Sequence, residues 1–368
     1  MTPSPEPAAR TLTARRRRGR FLLLGLGSLA GLLLAEVALR SADAVRAASR
    51  LSASQVLDRP VDPLPPGAPA RLGQMIRAAQ NHDIVYELLP DLDVEFHGVR
   101  VTTNRFGFRG PLREHGKPAN GYRIVGLGDS VLFGWGVPYE ATGLSRLEAK
   151  VQAALPGRIV EAVDTGVPGY NTAMQAEVLR DKGLRFAPDL VLVDFVGNDF
   201  DLPDYLWESP DPWSLDRCHL FDFARRVLRR RYSDLHGPFV WAPVDAEGNF
   251  ESDRARVPKA YHHLVGPEAY RRAMAAIVEL GRQHGFRVLV SCHLDLAPEA
   301  AAACRDLQVP TATVQRRVNA WLRANGHPRY LGSPLSLSAD DPHPSAKLHE
   351  WWAEAVFEKL EELAWLPR

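Results

Sequence analysis

Ser130 closes the tripeptide Gly128-Asp129-Ser130, directly after the apolar, partly β-branched run 122–127. That run reads as a buried strand, and helical spacing resumes at Leu144, Leu147, Val151 and Leu155. A strand-to-helix turn exposes a serine hydroxyl and aims backbone N–H groups at whatever it attacks. Such a serine needs a base within hydrogen-bond reach, because its own pKa lies far above neutrality. Three later loops offer partners: 166–171 (GVPGYN), 197–199 (GND) and 338–344 (SADDPHP). The first two follow apolar strands and the third precedes the last helix. A parallel α/β sheet gathers such loops at the carboxyl ends of its strands. The collected serine, glycines, asparagine, carboxylate and histidine are the parts of nucleophilic acyl transfer.

Within the last loop, His343 is the histidine that has a carboxylate at short fixed spacing. Either Asp340 or Asp341 is near enough in sequence to reach the ring. Pro342 biases Asp341 toward an extended conformation, which is expected to turn its side chain away from that of Asp340. A turn from Asp340 to His343 would then set the Asp340 carboxylate beside Nδ1, leaving Nε2 for Ser130. Asn198 contributes an amide donor that needs no proton transfer. Taken singly, each block also has a plain structural reading: a turn that ends a strand, an Asn-Asp turn, and a helix lead-in with Ser345 as N-cap.

The four blocks, in this order, resemble the SGNH hydrolases, also called GDSL-type esterases. The resemblance runs from Gly128 to His343 and leaves out everything before the α/β domain. It implies a three-layer α/β/α fold around a central parallel sheet of flavodoxin-like topology. It also implies a serine hydrolase that cleaves carboxylic esters through an acyl-enzyme, with no cofactor and no metal. By this resemblance Ser130 is the nucleophile. Its N–H, the Gly169 N–H and the Asn198 side-chain amide form the oxyanion hole. Asp340 and His343 match the family's Asp-x-x-His as orienter and base. One departure is visible: block two often begins with asparagine, and Asp164 stands there. Val131 and Leu132 after the serine also distinguish the pattern from the Gly-x-Ser-x-Gly elbow. Similar proteins act on acetylated carbohydrates, lipids or thioesters. Two alternatives stay open: an O-acyltransferase using the same residues, and a non-enzymatic, membrane-tethered binding or assembly protein.

The rest of the chain must position these residues. Among 368 residues the net charge is only +1, which argues against a nucleic-acid partner. The strong basic cluster is Arg15 to Arg18 with Arg20, followed by an apolar run at 21–39 interrupted only by Glu36. This predicts a single-pass signal anchor with a cytoplasmic N-terminus and an extracytoplasmic catalytic domain. The alternative is a signal peptide cleaved near Ala42-Asp43-Ala44, giving a secreted or periplasmic protein. An outward-facing domain favours O-acetyl groups on envelope or exported polysaccharide as substrate. Three cysteines make no disulfide framework, and a bridge between Cys292 and Cys304 is left open.

The expected organisation is a basic tail (1–20), the anchor (21–39), a stalk (40–83) with a proline-rich stretch, a β-rich lead-in (84–120) and the α/β domain (121–368). Within the lead-in, Asn104, Gly107 and Arg109 read as turn and surface residues. Strands are expected at 122–127, 158–163, 190–196 and 287–292. Helices are expected at 172–184, 270–284, 299–325 with an interruption at Pro310, and 345–364. An irregular insertion at 200–258 lies over the strand ends, where loops carry specificity. His219, His262 and His263 fit no metal-ligand spacing. Trp351, Trp352 and Trp365 read as packing residues. The basic cluster 225–231 reads as a solvated helix face that can touch anionic lipid or polysaccharide.

Overall fold

The computed structural model describes residues 25–42, 64–207, 218, 220, 239–245 and 248–367. The chain divides into two compact units: Met1–Val56 with Glu208–Asp234, and Leu57–Trp207 with Leu235–Arg368. In the first unit, Gly25–Ala42 is an 18-residue helix of mean hydropathy 1.3. By length and composition it can cross a membrane, and an N-terminal signal sequence has the same character. Its one acidic residue, Glu36, pairs with Arg40 one turn further on at 2.8 Å. The expected basic tail, residues 43–63 of the stalk and the cluster 225–231 lie outside the described residues.

The second unit is built on five strands: β1 (Gly121–Leu127), β2 (Ile159–Asp164), β3 (Leu190–Asp194), β4 (Arg287–Cys292) and β5 (Thr311–Thr313). All pair in parallel, in the spatial order β5-β4-β3-β1-β2. This is the flavodoxin-like order, and the resulting architecture is three-layer α/β/α. Helices follow the strands: α1 (Ser130–Phe133), α2 (Gly143–Ala154), α3 (Thr172–Asp181), α4 (Gly266–His284), α5 (Pro298–Asp306), α6 (Gln315–Ala324) and α7 (Ala346–Glu362).

β1 and β3 are buried along their whole length, as strands covered on both faces must be. Side-chain alternation sends Val125, Leu127, Val191 and Val193 to a layer made by α3, α4 and α5. Ile124, Leu190 and Leu192 go to the opposite layer, made by α2 and α7. Strand order reverses between β1 and β3, because β1 is flanked by both β2 and β3. A crevice opens at that point beyond the carboxyl ends. Ser130 and Asn198 follow β1 and β3, so both residues stand at its mouth.

Two expectations about the chain change. Residues 299–325 are not one interrupted helix, because β5 lies between α5 and α6. Pro310 has no N–H to donate, but its carbonyl accepts from Val290 N at 3.1 Å and leads into an edge strand. Three residues are too few to show a period. The stalk also ends earlier than residue 83. Leu72, Met75, Ile76, Ala78 and Ala79 are buried in one cluster with Val94, Phe96, Tyr205 and Phe239. Strand Ile76–Ala78 pairs antiparallel with Tyr86–Leu88, and strand Tyr205–Trp207 pairs with Phe239–Trp241. These short segments bury their apolar residues against one another and against Phe133, Val167, Tyr170 and Met174 of the α/β domain, so no local pattern marks them as folded. Cys292 and Cys304 are buried free thiols and Cys218 is an exposed one.

Candidate active site

Ser130 is the first residue of α1, and Asp129 is its N-cap. Asp129 Oδ1 accepts from Val131 N at 2.8 Å. After four residues Gly134 takes φ 81° and ends the helix, donating to the carbonyls of Ser130 and Val131. A side chain at Gly134 would place Cβ 2.4 Å from Thr142 Cγ2. The short helix therefore fixes the Ser130 hydroxyl at the crevice, where the residue is 8% exposed.

His343 Nε2 lies 2.9 Å from Ser130 Oγ. On the far side of the ring, His343 Nδ1 lies 2.7 Å from Asp341 Oδ1. The carboxylate on the histidine is thus Asp341, and the expectation for Asp340 is corrected. Asp340 is exposed, and its amide and that of Asp341 both donate to Ser338 Oγ, at 3.2 and 3.0 Å. The reason lies in a local Asx turn: the Asp341 carboxylate folds forward onto its second neighbour, His343, and so reaches the ring as well as the backbone of that residue. The same carboxylate oxygen accepts the His343 backbone N–H at 3.0 Å. Partial burial works to raise the Asp341 pKa, but those hydrogen bonds and the neighbouring imidazole outweigh it and hold the carboxyl below its ordinary range. Ser345 holds the N-cap position of α7, yet its hydroxyl donates to Pro334 O at 2.8 Å and tethers the loop instead.

Asn198 lies in a short 3-10 turn, Gly197–Phe200, whose shape is set by Asp199. Asp199 Oδ2 accepts from Val196 N at 2.7 Å, and Oδ1 accepts from Thr172 Oγ1 at 2.7 Å and Gln175 Nε2 at 3.0 Å. The Asn198 amide donates to Asp129 Oδ2 at 3.1 Å, which ties the block-three loop to the residue before Ser130. Gly169 has φ 81°, and a Cβ there would stand 2.4 Å from Asp204 Oδ1 and 2.5 Å from the Tyr86 hydroxyl. Both the backbone conformation and the lack of room demand glycine.

Much of this is braced by residues the sequence left unmarked, and the lead-in supplies most of them. Arg109 is 2% exposed, not a surface residue. Its guanidinium donates to the carbonyls of Phe133 and Gly134 and, at 2.7 Å, to that of Val137, while packing over the Phe133 ring. It thereby holds the segment that leaves α1. That segment carries Trp135, whose ring stacks on His343 with centroids 4.8 Å apart and planes at 8°. Phe96 and His97, at a hairpin tip where His97 takes φ 48°, pack on Trp135 in turn. The Tyr86 hydroxyl donates to Pro168 O at 2.8 Å, beside Gly169, and the Tyr170 hydroxyl donates to Tyr86 O. Each brace joins segments distant in sequence, so only Trp135, five residues after the serine, has a local signal.

Among the described residues, five aspartates lie around Ser130 with few cations among them. Burial pushes the carboxyls of Asp129 and Asp199 up. Burial also raises Asp164 and Asp204 to about 7 each. Asp164 stands where the resembling family has asparagine. Its Oδ1 accepts from Gly166 N at 2.9 Å, while its buried Oδ2 has no partner among the described residues. A protonated acid there copies the shape of an amide. Arg109, the nearest cation, is itself lowered to about 10 by burial, which the Asp164 charge only partly offsets. The fifth, Asp194, belongs to a buried network behind the crevice. Ser291 Oγ and Trp352 Nε1 both donate to Asp194 Oδ1 at 2.8 Å. His349 Nδ1 accepts from Gly143 N at 3.1 Å, so it carries its proton on Nε2, and His293 Nε2 lies 3.3 Å from the same Nδ1. His262 and His263 go elsewhere, to Val257 O and Asp83, each at 2.9 Å.

A parallel α/β unit with a serine, a histidine and a carboxylate hydrogen-bonded in a row at its strand ends has the form of a serine-type acyl hydrolase. The chain belongs to the GDSL-like lipase/acylhydrolase family, whose model matches residues 127–351, and it is an ester-hydrolysing enzyme. Its substrates are accordingly ester-bearing. Among solved structures, the chain is similar to TesA at 16% identity, covering 66% of this chain and 99% of that one, with a TM-score of 0.39. It is also similar to an acetylxylan esterase from Geobacillus stearothermophilus at 14% identity, covering 69% and 100%, with a TM-score of 0.39. A lipase/acylhydrolase from Enterococcus faecalis matches at 15% identity, covering 66% and 96%, with a TM-score of 0.38. No curated protein matches the chain.

Proposed function

We propose that the protein hydrolyses carboxylic esters through an acyl-enzyme on Ser130. His343 Nε2 takes the hydroxyl proton as Oγ attacks the ester carbonyl. Asp341 holds the imidazole in the tautomer that leaves Nε2 free and stabilises the imidazolium that forms. The N–H of Ser130, the N–H of Gly169 and the Asn198 amide receive the developing oxyanion. His343 then protonates the departing alkoxide, and a water activated by the same imidazole releases the acyl group. The observation that carries this reading is the unbroken row from Ser130 Oγ through His343 to Asp341, at 2.9 and 2.7 Å. The substrate proposed is an O-acetyl ester on envelope or exported polysaccharide, and its support is the apolar helix Gly25–Ala42 ahead of the domain. That helix serves as an uncleaved anchor with the domain outside the cytoplasm.

Labelling by a fluorophosphonate probe tests the nucleophile: wild type reacts, and Ser130→Ala does not. Labelling that survives in Ser130→Ala removes Ser130 from the reaction. Product analysis with and without an acceptor glycan separates hydrolysis from acyl transfer. The mass of the mature N-terminus tests the anchor, and a chain beginning just after Ala44 refutes it.

A further inference from the structure

Asp204 takes no part in the row from Ser130 to Asp341, yet its carboxyl lies beside the crevice. It comes from the insertion, one residue before strand Tyr205–Trp207. Its backbone is held at the carbonyl, which accepts from Ala242 N at 3.0 Å, and the main chain faces the Tyr86 hydroxyl. That fixed backbone presses the carboxyl onto Gly169, where Oδ1 and Cγ would stand 2.4 and 2.5 Å from an added Cβ. No hydrogen bond from a described residue reaches the carboxyl oxygens, and the residue is only half-buried. This acid is positioned by its main chain and has its own hydrogen-bonding capacity unused.

Resting on the reading of Gly169 as an oxyanion donor, we propose that Asp204 is a substrate-contacting specificity residue, whose carboxyl meets the bound ester beside Gly169 and rejects acyl groups that carry a negative charge. A like charge brought against a half-buried carboxylate is a strong device of exclusion. An acetyl group meets no such barrier, whereas the half-ester of a dicarboxylic acid does. Among the described residues, the charged or titratable groups that face Asp204 are Asp129, Tyr86 and Tyr205, and none of these is a cation. Burial, with Asp129 adding to it, moves the Asp204 carboxyl up to about 7. The exclusion is therefore present above that pH and fades below it, as the carboxyl takes up a proton.

The test measures kcat/KM of the full-length protein in detergent for 4-nitrophenyl acetate and 4-nitrophenyl hemisuccinate, from about pH 5.5 to about pH 8.5. The succinyl carboxylate stays ionised throughout, since such groups titrate at about 4. Titration of His343 acts on both substrates and cancels in their ratio. The preference for acetyl should rise roughly tenfold across this range in wild type, the scale of one screened like-charge contact. It should stay flat in Asp204→Asn, whose site is checked separately by fluorophosphonate labelling of Ser130. A preference that does not change with pH in wild type overturns the proposal, as does an equal rise in Asp204→Asn. If Asp204→Asn does not fold, the wild-type profile alone decides. Wild type that neither labels at Ser130 nor turns over the acetyl ester refutes the proposed mechanism, and the role of Asp204 with it. Labelling at Ser130 with a flat ratio removes Asp204 alone.

Discussion

Asp341 Oδ1 lies 2.7 Å from the ring Nδ1 of His343 and 3.0 Å from the backbone nitrogen of the same residue. One carboxylate oxygen thus fixes both the orientation of the imidazole and the conformation of the loop that carries it. Asp341→Asn leaves the loop hydrogen bond available but favours the wrong tautomer. Turnover should fall by roughly a thousand- to ten-thousand-fold, the upper end being the loss on amidating the orienting aspartate of a serine protease. Asp340→Asn, at an exposed carboxylate, should cost less than about tenfold. Steady-state kinetics on an activated acetyl ester compares the two, and a crippled Asp340→Asn would restore the Asp-x-x-His assignment.

The amide of Asn198 rests on Asp129 Oδ2 at 3.1 Å, and its second N–H is the donor proposed for the oxyanion. Asn198→Ala should lower kcat by roughly a hundred- to a thousand-fold, the scale of one lost donor. KM should move little, because the donor acts chiefly when charge develops on the carbonyl oxygen. Unchanged turnover in this variant would take the residue out of the mechanism.

Asp164 predicts a pH dependence of stability. An unfolded aspartate releases its proton near the ordinary 3.8, while the folded one keeps it up to about 7. The folded state binds more protons through that window, so stability falls as pH rises through it. At ~1.4 kcal/mol per pKa unit, the loss at this one residue approaches about 4 kcal/mol above pH 7. His349, lowered by burial, gives an opposite slope below its ordinary 6.5. Asp164→Asn removes the titrating group while retaining an acceptor for Gly166 N–H. Denaturant midpoints at about pH 5 and about pH 8 should therefore lie closer together in the variant than in wild type, with the gain at the higher pH. An unaltered pH dependence would assign the slope to the other buried acids.

Arg109 holds three carbonyls of the segment 133–137. Arg109→Met keeps much of the apolar stem and orphans those acceptors, at a cost of roughly 3–5 kcal/mol in chemical denaturation. Because Trp135 leaves that segment to stack on His343, kcat should fall as well, even at temperatures where the variant is folded. A folded variant with normal kcat would confine Arg109 to stability.

Local chemistry made the central strands readable. Residues 121–127 and 190–194 are buried throughout because both their faces are covered, their sequences are apolar but for Arg123 and Asp194, and the loops after them carry Gly-Asp-Ser and Gly-Asn-Asp. Once those strands are parallel, Ser130 and Asn198 must meet at the reversal of strand order, whatever else the chain does. The one-residue choice between Asp340 and Asp341 was not readable, since it turns on the backbone angles of a loop. The deciding contact is the turn in which the Asp341 carboxylate accepts the backbone N–H of its second neighbour, His343.

By itself, then, the sequence determined the parallel α/β domain, the serine, the asparagine and the histidine, because each sits at a strand end or helix start with a short-range signature. Tertiary structure alone decided which carboxylate meets His343, why residue 169 must be glycine, and how the lead-in braces the site. Arg109, Tyr86 and His97 act across gaps of roughly 25 to 245 residues through contacts that leave no period, spacing or motif in the chain. Their partners are carbonyls and ring faces, which every sequence contains, and only the packed fold selects which of them are met.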